Sequence, residues 1–138
     1  MAFDLAPGET LSRYVVERNH IRTSNQTVKY NAFMPPSHGR LSVFRTTGLV
    51  ENDVWQLGHT YVAPARGKPI LARADLNSLT VYEEDLTVVA TLTPHPRHAD
   101  ITGWDMSTKT RLQAAKLAAA SKLIMLPALS AVSYDLDF

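Results

Sequence analysis

The chain has 138 residues, a formal net charge of +1 and no cysteine. This length is typical of one domain with one hydrophobic core. The absence of cysteine excludes disulfides, thiolate metal ligands and a cysteine nucleophile. The first residues lack a signal-peptide pattern, and the longest apolar stretch, near 117–126, is too short and too polar for a membrane span. We therefore expect a cytoplasmic protein without a membrane partner.

Basic side chains are concentrated in two segments of this nearly neutral chain. Residues 10–49 contain six lysines and arginines against one acidic residue, Glu17. Residues 107–126 contain four basic residues and no acidic one. This pattern predicts either an anion-binding face or solvated charges on opposite sides of the fold.

The N-terminal part alternates between strand patterns and irregular segments. Residues 1–10 contain Pro-Gly and have no periodicity, which predicts a leader or loop. Residues 11–17 are rich in β-branched and aromatic side chains, and 41–46 alternate regularly, so both predict strands. Between them, 19–40 is irregular, and its two prolines and glycine preclude a continuous helix or central strand.

The middle of the chain predicts one helix and several strands. The apolar spacing over 50–57 predicts a short helix, which Gly58 is placed to end. Residues 70–74 predict a strand, and 79–82 and 86–92 predict two further strands or one bulged strand.

The C-terminal part predicts a loop over 93–104, a long alanine-rich helix over 107–126 and an extended or disordered tail over 127–138. The helical spacing predicts that its buried face carries Leu112, Ala115, Ala119 and Leu123. The expected fold is therefore α+β, with one domain over 11–126. We expect an antiparallel or mixed sheet of about five strands, one long C-terminal helix packed on it and one short helix.

The densest cluster of ionisable residues lies in the predicted loop HPRHAD at 95–100. His95 and His98 are the candidate catalytic residues, because two imidazoles can serve as general base and general acid while Arg97 stabilises charge on a phosphoryl oxygen. Metal binding by the histidines and Asp100 is an alternative, although the spacing is not specific and a basic setting favours an anion. The remaining interpretation is that these side chains only satisfy groups of the loop.

Other basic and aromatic residues extend this hypothesis to a phosphorylated ligand. The candidate phosphate-binding residues are Arg22, Lys29, Arg40, Arg45 and Arg97. Tyr30 and Trp104 are candidate platforms for stacking on a base, although buried roles in the core are the alternative for such aromatic residues.

Two segments of the chain together resemble a group of small bacterial proteins of unknown function. They are AFMPP (32–36) leading to LSVFR (41–45), and HPRHADITGW (95–104). The resemblance covers about residues 11–125. It implies a bacterial or phage origin and a compact single domain, but no activity, cofactor or site residue.

No sequence motif of a P-loop, dinucleotide fold, serine hydrolase, zinc protease or EF-hand is present. The leading hypothesis is binding of a nucleotide or RNA without a cofactor or metal, with metal-independent phosphodiester cleavage left open. A second is a non-catalytic interaction module, such as a partner or immunity component in a toxin or defence system, which binds a protein through residues 33–36 or the C-terminal tail. ADP-ribosyl transfer is a weaker third hypothesis, because no glutamate is suitably placed.

Overall fold

The computed structural model describes residues 3–127, and their strands form one seven-stranded and one two-stranded antiparallel sheet. The large sheet has the order β1-β7-β8-β5-β2-β6-β9, and β3 pairs with β4. The strands are β1 (Phe3–Asp4), β2 (Thr10–Val15), β3 (Ile21–Arg22), β4 (Thr27–Val28), β5 (Leu41–Arg45), β6 (Ala72–Asn77), β7 (Thr87–Ala90), β8 (His98–Thr102) and β9 (Lys122–Met125).

Helical segments flank the large sheet. They are the short 3₁₀ turns Arg18–His20 and Tyr30–Phe33, α1 (Glu51–Leu57), a π-helical turn (Gly58–Val62), α2 (Ala63–Arg66), α3 (Ser78–Glu83) and α4 (Thr108–Ala120). The helix α1, the π turn and α2 follow one another without a break and form one helical segment of 16 residues. Among residues 3–127 no helix combines the length and apolar character needed to cross a bilayer.

The two faces of the sheet differ in what covers them. Along β5, Leu41 and Val43 point to the main core, while Ser42 and Phe44 point to the other side, as the two-residue period of a strand requires. The main core includes the buried faces of α3 and α4. On the other side, which we call the groove face, the helical segment 51–66 packs Trp55 and Leu57 near Phe44.

The arrangement predicted from the sequence, with about five strands, one long C-terminal helix and one short helix, is wrong. The large sheet has seven strands. The C-terminal helix α4 has only 13 residues and is followed by β9, which pairs with the edge of β6. The helix expected to be short continues for 16 residues.

The buried face of α4 was predicted wrongly because the helix contains many alanines, which leave its apolar periodicity weak. Its buried side chains are Thr110, Ala114, Leu117 and Ala118. Leu112, which we expected on the buried face, is 57% exposed, and the expected Leu123 belongs to β9. A helix of small side chains therefore packs through a face that a count of large apolar residues does not identify.

Gly58 does not end the first helix. Its backbone is helical (φ −63°, ψ −47°), and the segment continues to Gly67, where φ is +66°. Glycine is required at 58 for a different reason, because a Cβ there would lie 2.7 Å from the ring of Tyr14 on β2. The missing side chain allows the helix to approach the sheet closely.

Gly58→Ala is therefore expected to lower the free energy of unfolding by about 1–3 kcal/mol, because the added methyl group overlaps the Tyr14 ring. At a helical site with free space the same change stabilises a protein by about 0.5–1 kcal/mol. A destabilising effect would therefore indicate the close contact between residue 58 and the Tyr14 ring. Urea unfolding measures it, with Thr60→Ala at an exposed position of the same segment as control. A stabilising Gly58→Ala change would contradict the close packing.

Three further segments differ from the sequence prediction. Residues 79–82, expected as a strand, lie in α3, because the Asn77 side chain accepts a hydrogen bond from the Leu79 backbone N–H and begins a helix. Strand β1 lies within the predicted leader, and β8 within the predicted loop 93–104. The predicted tail lies, from residue 128 onward, outside the described residues.

Candidate functional site

Two adjoining cavities lie on the groove face between the helical segment 51–66 and the turn before β8. The first has a volume of about 260 Å³, and its lining includes Arg13, Ser42, Arg66 and His98; we call it the cationic compartment. The second has a volume of about 350 Å³, and its lining includes Asp53, Gln56, Thr60, His95 and Arg97; we call it the aromatic compartment. Tyr61 lines both cavities, and we call the two together the groove.

His98 is the most constrained ionisable residue of the groove. It is the first residue of β8, and its ring contacts Phe44 edge-on at 5.2 Å between ring centroids. Its Nε2 lies 2.7 Å from the hydroxyl oxygen of Ser42 on the neighbouring β5, and its Nδ1 is hydrogen-bonded to the hydroxyl oxygen of Thr91. Strand pairing thus fixes both sides of the imidazole.

The hydrogen bonds of Thr91 favour one tautomer of His98. The Thr91 hydroxyl contacts the backbone carbonyls of Thr93 and His98, both at 3.2 Å, and a carbonyl can only accept. Donation of the single hydroxyl proton to a carbonyl favours the arrangement in which the Thr91 oxygen accepts from Nδ1–H. In that tautomer Nε2 has no proton and accepts from the Ser42 hydroxyl.

His98 is neutral at neutral pH in this environment. Burial lowers its pKa below the usual imidazole value of 6.5, and the Asp100 carboxylate opposes the shift without cancelling it. That carboxylate lies 3.9 Å from Nε2, which is too far for a hydrogen bond. The base is therefore unprotonated and aligned with the Ser42 hydroxyl.

Arg13 reaches the groove through a gap in the sheet. The ladder between β2 and β5 contains only the pairs Leu11–Arg45 and Ser12–Phe44. Beyond it, the Arg13 guanidinium donates from Nε to the carbonyl of Ala32 at 3.0 Å and from Nη1 to the carbonyl of Ser42 at 2.9 Å. The guanidinium is thus held rigidly beside the Ser42–His98 pair.

The charge of Arg13 has no acidic counterpart among the described residues, since none of their carboxylates forms an ion pair with it. Burial, with a smaller contribution from the charge of Arg66, lowers its pKa to about 10. Arg13 remains protonated at neutral pH. An anion in the cationic compartment would relieve both the desolvation and the repulsion between the two arginines.

Aromatic rings separate the two compartments. Tyr61 lies in the π-helical turn, 5.2 Å from the ring of His95 and 6.1 Å from that of Phe44 between centroids. Such π turns occur frequently at functional sites. The exposed Asp53 and Gln56 on α1 add hydrogen-bonding groups to the aromatic compartment.

The two histidines expected as a catalytic pair lie in different compartments. His95 lines the aromatic compartment, and its Nδ1 accepts a hydrogen bond from the Arg97 backbone N–H at 3.0 Å. Arg97 also lines this compartment, and its guanidinium donates to the carbonyls of Arg45 and Thr47. The turn predicted from the sequence therefore borders the groove, but the side chain that contacts His98 Nε2 is Ser42 and not His95.

The other expected phosphate-binding residues lie away from the groove. Arg45 points to the opposite side of β5, where it pairs with Glu9 at 3.4 Å. Arg22 and Tyr30 line a different cavity beside α4, where Arg111 lies 4.4 Å from the centre of the Tyr30 ring.

The remaining expected residues do not line either compartment. Lys29 is half-buried, and Arg40 is exposed. Trp104 is buried, its indole N–H donates to the carbonyl of Ile101, and it lines a separate cavity with Asp105 and Lys109. Within residues 3–127 no three His, Asp or Glu side chains are grouped to hold a metal.

Four residues of the groove were not predicted from the sequence: Arg13, Ser42, Tyr61 and Arg66. A usable signal existed for Arg13, since a cation between Leu11 and Val15 on a buried strand must be paired or bind something. Ser42 had no local signal, because only the pairing of β5 with β8 brings it to His98.

Comparison of the chain with family models, with curated proteins and with solved structures gives no match. The resemblance to small bacterial proteins therefore stays a prediction, and the interpretation of the groove rests on its own chemistry.

Proposed function

We propose that this chain binds a small phosphorylated ligand of nucleotide size in the groove. The phosphate occupies the cationic compartment, and the base occupies the aromatic compartment. The observation that carries the proposal is the Arg13 guanidinium, which borders the cavity without an acidic partner among the described residues.

The cationic compartment has the chemistry of a phosphate site. Arg13 is positioned by two backbone carbonyls, and a guanidinium held in place loses little entropy when it binds an oxyanion. Arg66 adds a second, more exposed cation, although Glu17 lies 3.6 Å from it. The hydroxyl of Ser42 supplies a hydrogen-bonding group between the strands.

The aromatic compartment suits a base rather than a second phosphate. Tyr61 and His95 offer ring faces for stacking, and Asp53 and Gln56 offer acceptors and donors for the edge of a base. The Asp53 carboxylate at this end of the groove disfavours a phosphate there, and the Arg97 guanidinium in the same compartment already donates to the carbonyls of Arg45 and Thr47. These features favour a mononucleotide over a continuous RNA backbone, which would require cations along the whole groove.

Calorimetric titration with the four nucleoside monophosphates at low salt tests this proposal. We expect saturable binding of at least one of them, weaker binding of inorganic phosphate and no binding of the corresponding nucleoside. Absence of binding for all four monophosphates at millimolar concentration would overturn the proposal.

Arg66→Ala is expected to weaken binding of that nucleotide by about 3–10-fold, because a partly exposed cation contributes roughly 0.5–1.5 kcal/mol to a phosphate contact. The weakening should decrease as salt is added, since added ions screen the exposed charge. Arg40→Ala is the matched control, since Arg40 is an exposed arginine that does not line the groove. Equal effects of the two substitutions would contradict a local role for Arg66.

The hypothesis of a protein-interaction module stays a prediction, as does that of ADP-ribosyl transfer. Residues 33–36 form the loop that was expected to contact a protein partner. In this loop Phe33 is fully buried and Met34 packs against the core, whereas Pro36 is exposed. The C-terminal tail, the other expected contact, lies outside the described residues from 128 onward.

A further inference from the structure

We propose that Ser42 is a nucleophile activated by His98, and that the chain uses this pair to hydrolyse a phosphate monoester. The inference rests on the proposed function, because Arg13 and Arg66 hold the phosphate beside Ser42. This inference adds a reaction to the proposed binding site. It also assigns the catalytic pair to Ser42 and His98, in place of the pair of His95 and His98 expected from the sequence.

The geometry supplies the three roles that such a reaction needs. The Ser42 hydroxyl lies 2.7 Å from Nε2 of His98, within the range for direct proton transfer. Thr91 holds Nδ1 on the far side of the ring, which keeps Nε2 free to accept the proton. The Arg13 guanidinium is bonded to the Ser42 carbonyl and lines the same cavity as Ser42, so its positive charge is available to a phosphoryl group held there.

The exposure of Ser42 agrees with a reactive role. Its side chain is half-buried and lines the cationic compartment, so a ligand can reach it. By contrast, Ser12 on the same face of the sheet is fully buried and donates to Asp75. The Ser12 hydroxyl is therefore part of a buried hydrogen-bond network, whereas the Ser42 hydroxyl lies at the cavity wall beside the unprotonated imidazole of His98.

The reaction balances with water as the only co-reactant. The Ser42 Oγ attacks phosphorus, the bond from phosphorus to the leaving oxygen breaks, and the Ser42 proton passes through His98 Nε2 to the leaving alcohol. Water then attacks the phosphoserine and gives a proton to His98. The Oγ–P bond breaks, inorganic phosphate leaves and Ser42 regains its proton from His98.

The test is covalent labelling of the full chain with a phosphonofluoridate, followed by intact-mass measurement and peptide mapping. The reagent forms an Oγ–P bond and releases fluoride, so it reports on an activated hydroxyl. We expect one adduct at Ser42, no adduct in Ser42→Ala and labelling about 100-fold slower in His98→Gln. Ser37→Ala, at an exposed serine outside the groove, is the control and should label at the rate of the original chain.

The pH dependence of labelling gives a second readout. The groups around His98 are Asp100 on β8, Arg13 on β2, Arg66 on α2 and His95 in the preceding turn. Because the pKa of His98 lies below 6.5, the rate should reach half of its plateau value only below pH 6.5, as Nε2 is protonated. A rate that rises only above pH 8 would indicate an unassisted hydroxyl and overturn the pairing.

The outcomes separate this inference from the proposed function. If a nucleoside monophosphate binds but Ser42 is not labelled, or His98→Gln labels at the original rate, the nucleophile is wrong and the binding proposal stands. If Ser42 is labelled, a bound monophosphate slows the labelling and the chain releases inorganic phosphate from the monophosphate, both stand. If Ser42 is labelled but no monophosphate binds, the phosphate-ester substrate and the proposed function are both overturned.

Discussion

Replacing Arg73 by alanine is expected to lower the free energy of unfolding by about 3–5 kcal/mol, the largest effect of any single substitution considered for this chain. Arg73 is only 3% exposed, and its guanidinium donates to Asp75 from Nε at 3.1 Å and to Glu51 at 2.7 Å. Trp55 stacks on it at 4.6 Å from the ring centre. Without Arg73, the hydroxyl of Ser12 is the remaining side chain that donates a hydrogen bond to the Asp75 carboxylate.

Glu51→Gln is the matched control for this prediction. Glu51 contacts the same guanidinium but is 67% exposed, so its loss is expected to cost less than about 1 kcal/mol. Urea unfolding of both variants measures the contrast. If Arg73→Ala cost no more than Glu51→Gln, the buried contacts of Arg73 with Asp75 and Trp55 would add nothing to the exposed pair with Glu51.

Arg13→Met is expected to weaken binding of the nucleoside monophosphate by about 30-fold or more, which corresponds to at least about 2 kcal/mol. Methionine keeps much of the apolar stem but removes the charge that borders the cationic compartment. Calorimetric titration below the unfolding temperature measures the loss.

The folding of the Arg13→Met variant must be measured separately, because the carbonyls of Ala32 and Ser42 lose a donor. Arg13→Lys therefore serves as a second variant, since it keeps the charge and loses the two-pronged geometry. We expect intermediate binding from it. Undiminished binding by a folded Arg13→Met variant would show that the phosphate lies elsewhere.

The strands with a clear two-residue alternation were predictable from the sequence. Residues 41–46 were predicted as a strand from their regular alternation, and β5 (Leu41–Arg45) lies in this segment. The same alternation is present at His98–Thr102, but the prolines before it and its polar residues led to the prediction of a loop. In physical terms, His98 at the start of β8 faces a cavity, and a pattern of polar and apolar residues cannot distinguish a cavity wall from a surface loop.

The candidate site was only partly predictable, because its residues come from four separate segments. The turn containing His95 and His98 was identified from its density of ionisable groups. Arg13 was overlooked within an apolar strand, and Ser42 meets His98 through the pairing of strands 56 residues apart in sequence. Local patterns carry no information about such pairing, whose register depends on the whole sheet.

The most direct test of the central claim, that Arg13 binds the phosphate of the ligand, is the NMR signal of its Nε–H during a titration with the nucleoside monophosphate. This N–H donates to the carbonyl of Ala32 at 3.0 Å, and burial slows its exchange with water. We predict a saturable shift of the Arg13 signal with the monophosphate, no shift with the nucleoside, and no change at Arg40. An Arg13 signal that stays unchanged at saturating monophosphate would contradict the claim.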